Sequence, residues 1–198
     1  MNDNLNVFNV NVIGERSLYF SGEIDSNSIA RTNCELLKMI SKIIMQAKVI
    51  KNFEAGHINL FIESFGGSLD DSWALIDIIL NSPIPIYTYA LGMAESGGLK
   101  IFLAGDKRFV MEHSLLMFHE LSACSEGKFA DIHEYHEYLA KEQEKIDKYI
   151  LERTKMKKKQ LEEIKKSKED FYMCPQEALD LGFATDMFSL DNWDDIVC

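Results

Sequence analysis

Apolar positions along the chain recur with two periods, and the switches between them divide it into elements. In residues 1–14, Leu5, Val7, Val10 and Val12 alternate with asparagines, which suits a short edge strand or an N-terminal arm. Leu18, Tyr19 and Phe20 predict a strand over 16–22, closed by Gly22. Asp25, Ser26, Asn27 and Ser28 offer capping oxygens, and Leu36, Leu37, Ile40, Ile43, Ile44 and Val49 follow at helical spacing. Residues 57–63 alternate less cleanly and read as a buried strand, and 64–68 read as a turn. Ser68 then caps a helix that turns Trp73, Leu75, Ile76, Ile78 and Ile79 inward.

The apolar run 83–90 predicts a buried strand, and 99–104 a short apolar helix. Two more apolar stretches occupy 108–111 and 115–118. From 128 to 153 there is neither glycine nor proline, and Ile132, Tyr135, Leu139, Ile146, Tyr149 and Ile150 form a narrow apolar stripe on a charged background. Such a helix suits packing on a partner. A short helix over 160–166, an extended segment at 170–173, a helix opened by Pro175 and stopped by Gly182, and a strand over 183–187 complete the pattern. Strand–helix alternation of this kind indicates an α/β fold with largely parallel pairing. Without a repeat, low-complexity tract or splitting linker, residues 1–198 read as one domain.

Composition narrows the classes of function. Hydrophobic residues make up 46% and charged residues 27% of the chain, which is ordinary for a globular protein. A net charge of −11 leaves no basic face for phosphates and argues against a nucleic-acid partner. The basic run at 155–159 is followed by Glu162 and Glu163 and reads as a solvated helix end. Cys34, Cys124, Cys174 and Cys198 are scattered, which suggests neither a disulfide framework nor a zinc site. The first residues lack the basic and apolar regions of a secretory signal, and no apolar run approaches membrane-spanning length. The expected setting is the cytoplasm, with no membrane partner.

Candidate chemistry centres on Ser96. The spacing Ala94-x-Ser96-x-Gly98, between a strand and a helix, is a loosened nucleophile elbow. A serine there is more often a helix cap, so the pattern needs support. Gly66 and Gly67 supply some, because backbone N–H groups at a strand-to-helix passage can receive an anion. The Gly67 and Gly97 N–H groups together would form an oxyanion hole, although a plain turn explains the glycines too. His119 lies at a strand end, where it could take the Ser96 proton, and Asp170 could hold the imidazole. His133 and His136, three apart with carboxylates nearby, fit a solvated helix face better than a metal site. A thiol nucleophile at Cys124 or Cys174 lacks an elbow.

Five stretches, in order, resemble the proteolytic subunits of the Clp protease (the ClpP family). They are Glu63-Ser64-Phe65-Gly66-Gly67, the residues from Gly92 to Gly98, Ala104-Gly105-Asp106-Lys107-Arg108-Phe109, Leu116-Met117-Phe118-His119, and Asp170-Phe171-Tyr172-Met173 with Glu177-Ala178 and Gly182 beyond. The likeness covers about residues 15–188. It implies a crotonase-like, ClpP-like fold of repeated ββα units with a protruding handle helix, here about 120–153. It also implies Ser96 as nucleophile, His119 as base, Asp170 as its orienting group, and Gly67 and Gly97 as oxyanion donors. No metal or organic cofactor is called for. The implied substrate is peptide or unfolded protein, cleaved inside a chamber built by self-association into two stacked heptameric rings.

Departures from the family pattern bear on this expectation. Glu95 and Gly97 flank the serine where the family has Ala and Met. His119-Glu120-Leu121 replaces His-Gln-Pro, and only Gly127 remains of the glycine-rich peptide-binding strand at 122–127. The segment ahead of Arg16 is short for the axial gate touched by an ATPase, which leaves a Clp-type ATPase partner open. Three other readings stand beside the peptidase: a catalytically silent ring subunit, an acyl-CoA enzyme of the same fold, and a viral maturation peptidase.

Overall fold

The computed structural model describes residues 10–189. Residues 1–9 of the expected N-terminal arm lie outside the described residues. The elements run β1 (Val10–Gly14), β2 (Ser17–Ile24), α1 (Ser26–Val49), β3 (Ile58–Gly67), α2 (Leu69–Leu80), β4 (Ile86–Glu95), α3 (Gly97–Ala104), β5 (Lys107–Val110), β6 (Leu115–Phe118), α4 (Phe129–Arg153), α5 (Lys158–Ser167), β7 (Phe171–Met173), α6 (Pro175–Asp180) and β8 (Asp186–Met187). One sheet runs β1-β2-β3-β4-β5-β8, parallel except for β1. Strand β4 is shared: Tyr87–Ala90 pair with β5, and Met93–Glu95 pair with β6, which in turn holds β7 antiparallel.

The expected α/β class is what this topology shows, and the local caps are those expected. The Asp25 carboxylate accepts from the Ser28 N–H at 2.7 Å while the Ser28 hydroxyl accepts from the Asp25 N–H at 3.0 Å, a reciprocal cap on α1. The Ser68 hydroxyl accepts from the Asp71 N–H at 3.3 Å at the start of α2.

Three boundaries differ from expectation. Strand β2 does not stop at Gly22 but passes it at φ 89°, with a register shift between Ser21 and Glu23. Strand β3 does not turn at 64–68: Gly66 and Gly67 stay in the ladder opposite Glu23 and Ile24. Their φ values of 106° and 144° are open to glycine, so the strand continues where a side chain would have forced a turn. The last strand shrinks to β8, because Phe183 and Ala184 are held in the core as irregular chain.

The main core lies between the sheet and α1, α2 and α3. Leu18, Phe20, Leu60, Ile62 and Ala90 face Leu36, Ile76, Leu99 and Phe102, all buried. Burying a Leu, Ile or Phe contributes ~1.5–3 kcal/mol each, so this layer is the fold's main support. The other sheet face carries a smaller aromatic cluster in which the Tyr89 ring stacks between Phe61 and Phe109. All eight residues of α3 are buried, as expected for a helix that is apolar nearly all round. Its single charge, Lys100, is buried with them.

Helix α4 behaves differently along its length. Ile146, Tyr149 and Ile150 are buried against the core, whereas Phe129 is 83% exposed and the first half of the helix has no buried residue. The apolar stripe read from the sequence is therefore core-facing only in its last turns.

Candidate active site

Strand β4 delivers Ser96 to the head of a cleft. Glu95 pairs with Met117 of β6, and the Ser96 N–H then donates to the Met117 carbonyl at 2.9 Å. Helix α3 starts at the next residue, and the Lys100 N–H donates to the Ser96 carbonyl at 3.2 Å. Passing from strand to helix without a loop holds Ser96 at φ 51°, ψ −114°, a conformation that side-chain-bearing residues rarely adopt. The Ser96 side chain makes no capping bond, so the capping role the sequence left open is not the one it takes. Its Oγ instead lies 2.8 Å from Nε2 of His119.

Glycines make room for this bend. A Cβ on Gly66 would stand 2.8 Å from the Ser96 Cβ and 3.0 Å from the Gly97 nitrogen. One on Gly97 would meet the Ser72 Oγ at 2.8 Å and the Ile24 Cδ1 at 2.9 Å. The glycine after the serine, unusual for the pattern it resembles, thus fits the close approach of α2 and β2 here.

Two glycines flank Ser96, Gly67 across the cleft head and Gly97 next along the chain. The Ile24 carbonyl takes its ladder bond from the Ser68 N–H at 2.8 Å. Successive N–H groups of a strand point to opposite sides, so that of Gly67 is directed away from β2 and toward the cleft, which Gly67 lines beside Ser96. The Gly97 N–H opens α3 and has no partner one turn earlier within the helix.

His119 is half-buried at the end of β6. Burial chiefly holds its pKa below the usual histidine value, and the Lys100 charge pushes the same way. Asp170, the Glu120 backbone and, least, Glu95 oppose that shift. Glu95 therefore does act on the imidazole, although weakly. A neutral imidazole facing a hydroxyl is the state that accepts a proton.

Asp170 is near but less engaged. Phe118 pairs with Phe171 across β6 and β7, which sets His119 and Asp170 beside each other at the strand ends. They line one recess of about 250 Å³ with Lys165 and Lys168. Asp170 is exposed, its charge is felt at His119, and no hydrogen bond joins the two.

The cleft itself has a volume of about 430 Å³. Gly67, Ser96 and His119 form its head, Leu69 and Asp70 of α2 one wall, and Tyr135, Tyr138 and Leu139 of α4 the other. The walls are tied together: the Tyr138 hydroxyl donates to Asp70 Oδ1 at 3.1 Å and the Trp73 Nε1 to Glu142 Oε2 at 3.1 Å. The segment after His119 is irregular, and its Leu121 N–H donates to the Gln143 Oε1 of α4 at 2.8 Å.

The sequence reading missed Lys100, which is 5% exposed and lines the cleft. The signal was present as the single charge inside an apolar helix one turn beyond the candidate serine. His133 and His136 stand apart from the cleft, with His133 Nδ1 3.7 Å from Glu137 Oε1 on an exposed face of α4. Cys124 and Cys174 are exposed.

Comparison with known proteins agrees with this architecture. The family model described as Clp protease matches residues 10–190. The ATP-dependent Clp protease proteolytic subunit 2 of Corynebacterium glutamicum is 29% identical over 181 residues, covering 90% of this chain and 84% of that protein. Proteolytic subunit 1 of Prochlorococcus marinus subsp. pastoris is 29% identical over 174 residues, covering 86% and 82%. A solved structure, a ClpP1 mutant from Listeria monocytogenes, superposes with a TM-score of 0.74 at 23% identity, covering 89% of this chain and 94% of that one. That likeness shows a shared fold.

Proposed function

The chain belongs to the Clp protease family, and from that premise we propose that it is a serine endopeptidase working through Ser96, His119 and Asp170. The observation that carries the reading is the 2.8 Å approach of Ser96 Oγ to His119 Nε2 at a strained elbow. Ser96 Oγ attacks the carbonyl carbon of a peptide bond while His119 Nε2 takes its proton. The oxyanion is met by the Gly67 and Gly97 N–H groups. His119 then returns the proton to the leaving amine, and water hydrolyses the acyl-enzyme by the same route. Asp170 supports the imidazolium that forms in between. Removing one oxyanion donor from such a site lowers the rate by ~100-fold or more.

The substrate class is peptide or unfolded protein, and no organic cofactor enters the chemistry. The exposed first half of α4, with Phe129, is suited to pack against another copy, which supports self-association into stacked rings, two heptamers by analogy with the family. The relatives are named as subunits of an ATP-dependent protease, so a Clp-type ATPase is the partner to test. Among the described residues no helix is long and apolar enough to cross a membrane. The setting proposed is the cytoplasm.

Labelling with a fluorophosphonate tests the reading. The wild-type protein should be labelled, and Ser96→Ala and His119→Ala should not. A well-folded, assembled wild type that resists the probe would overturn it. The exposed position of Asp170 favours one second reading, a ring subunit that is silent alone and becomes active beside a different copy. Labelling that appears only on mixing with an active relative would support that alternative.

A further inference from the structure

Lys100 is an anomaly in its surroundings. Every residue of α3 is buried, and Lys100 is 5% exposed. Its carbonyl accepts from the Tyr149 hydroxyl at 3.0 Å, which fixes the backbone, but its ammonium has neither an ion-pair partner nor a hydrogen-bond acceptor among the described residues. The acidic groups on the same cleft have other partners nearby. Asp70 accepts from Tyr138, and Glu120 Oε1 lies 3.9 Å from Lys165 Nζ. An ammonium on so buried a side chain touches water only through the cleft, and its partial desolvation is not offset by an ion pair. That burden depresses the Lys100 pKa from 10.5 to about 8.

Its position is informative. Lys100 lies in the first turn of α3, and its N–H donates to the Ser96 carbonyl at 3.2 Å. It lines the Ser96 cleft, and its charge is felt at His119. Leu69, Leu121 and Leu139 give the walls apolar patches between the polar Asp70, Glu120, Tyr135 and Tyr138, so a ligand carboxylate would meet Lys100 as the one cation lining the cleft among the described residues.

We propose that Lys100 makes this end of the cleft a carboxylate-binding subsite, which selects an acidic side chain on the residue whose carbonyl Ser96 attacks. Resting on the peptidase reading, the inference adds a substrate class to it: chains cleaved after Asp or Glu. Lys100 acts here as a specificity residue, and the proton acceptor remains His119. The same ammonium would also meet the terminal carboxylate of a peptide, and the two sources are separable by experiment.

Calorimetry on Ser96→Ala protein provides the test, because binding there needs no active serine. N-acetylated tripeptide amides ending in Glu should bind about tenfold or more tightly than those ending in Gln, as befits a charge-assisted contact. In the Ser96→Ala, Lys100→Met double variant the two should bind alike. Equal binding to the single variant, or a Glu advantage that survives Lys100→Met, would overturn the proposal. A Gln-ending free acid that binds as tightly as the Glu amide, and only with Lys100 present, would support the carboxylate subsite and identify its source as the peptide terminus.

A second measurement needs no change at Lys100. Raising the pH from 7 to 9.5 neutralises the ammonium and should erode the Glu advantage. Asp70, Glu120, His119, Tyr135 and Tyr138 also face the cleft, and the Lys100→Met variant over the same pH range controls for them. Fluorophosphonate labelling is scored separately, so a failed subsite and a failed peptidase are distinguishable. Lys100→Met should still be labelled, with its pH midpoint moved up by the lost charge, and a folded variant that is labelled at no pH would make Lys100 a base and overturn the specificity role.

Discussion

The ammonium of Lys100 lowers the proton affinity of His119, and the carboxylate of Asp170 raises it. The imidazole that faces Ser96 is thus set between opposite charges, with burial adding to the effect of the lysine. The folded-state pKa lies below 6.5 as the net result, so His119 is already neutral at pH 7.

The rate of fluorophosphonate labelling should accordingly rise with pH through a midpoint below 6.5 and stay level to pH 8. Deprotonation activates the base, so the signal is lost on the acid side. Lys100→Met removes a cation and should move the midpoint up. Asp170→Asn removes an anion and should move it down. Profiles of the three proteins between pH 4.5 and 8 check the signs. Coincident midpoints would mean that neither charge is felt at the imidazole.

Lys100 also bears on stability. Its folded pKa of about 8 lies below the usual 10.5, so the folded state resists the proton that the unfolded chain holds readily. Below pH 8 the ammonium weakens the fold by ~3 kcal/mol, and the penalty is relieved as pH rises from 8 to 10.5. Lys100→Met keeps the length of the side chain without the charge. It should stabilise the protein by about 1–3 kcal/mol at pH 7 and flatten stability against pH between 8 and 10.5. Urea unfolding at pH 7 and 10 checks both. A variant less stable at pH 7 would indicate a partner for the ammonium within the fold.

Gly66 offers a purely geometric test. A Cβ there would stand 2.8 Å from that of Ser96, and the residue sits at φ 106°. Gly66→Ala must displace either β3 or the elbow. Because a misplacement of about 1 Å in a catalytic constellation can lower the rate ~100-fold, labelling should fall by about that factor. Stability should fall by only ~1–3 kcal/mol. Equal labelling by the variant would show that the elbow yields without consequence.

The free face of α4 makes a prediction about assembly. Phe129 is 83% exposed, and its ring centroid lies 6.3 Å from that of His133. Phe129→Glu should leave the unfolding midpoint unchanged and shift sedimentation toward smaller species. An unchanged sedimentation profile would remove this residue from any contact between copies.

Most of the architecture was legible because it is written in local patterns. The capping box at Asp25 and Ser28, the helical spacing of α1 and α4, and the β-to-α alternation each appear in the sequence in the form the fold uses. Ser96 and His119 were legible because strand ends gather side chains in α/β folds. What the sequence hid depends on contacts far apart in the chain. Gly66 and Gly67 read as a turn because their opposite partners, Glu23 and Ile24, are some forty residues away. Lys100 was passed over because its burial comes from elements packed against α3, which its own helix does not reveal.

Arg108 has a structural role. Sequence alone presents it as the start of an apolar strand. In the fold its guanidinium is buried and meets no carboxylate. Its Nε donates to the Phe183 carbonyl at 2.8 Å, Nη1 to that of Gly105 at 3.2 Å, and Nη2 to those of Gly182 at 3.1 Å and Arg153 at 3.3 Å. Four carbonyls from three separate segments are gathered on one planar fork, which ties the end of α4 and the turn after α6 to β5. Burial and the nearby Arg153 charge push its pKa down to about 10, still well above neutral pH. Arg108→Met would strand those acceptors away from water and should destabilise the protein by ~3 kcal/mol or more. Arg108→Lys should recover little of that loss, since a point charge cannot reach four acceptors in the plane of a guanidinium. Urea midpoints of the two variants decide the matter, and full rescue by lysine would mean that charge alone, and not the fork, holds the segments together.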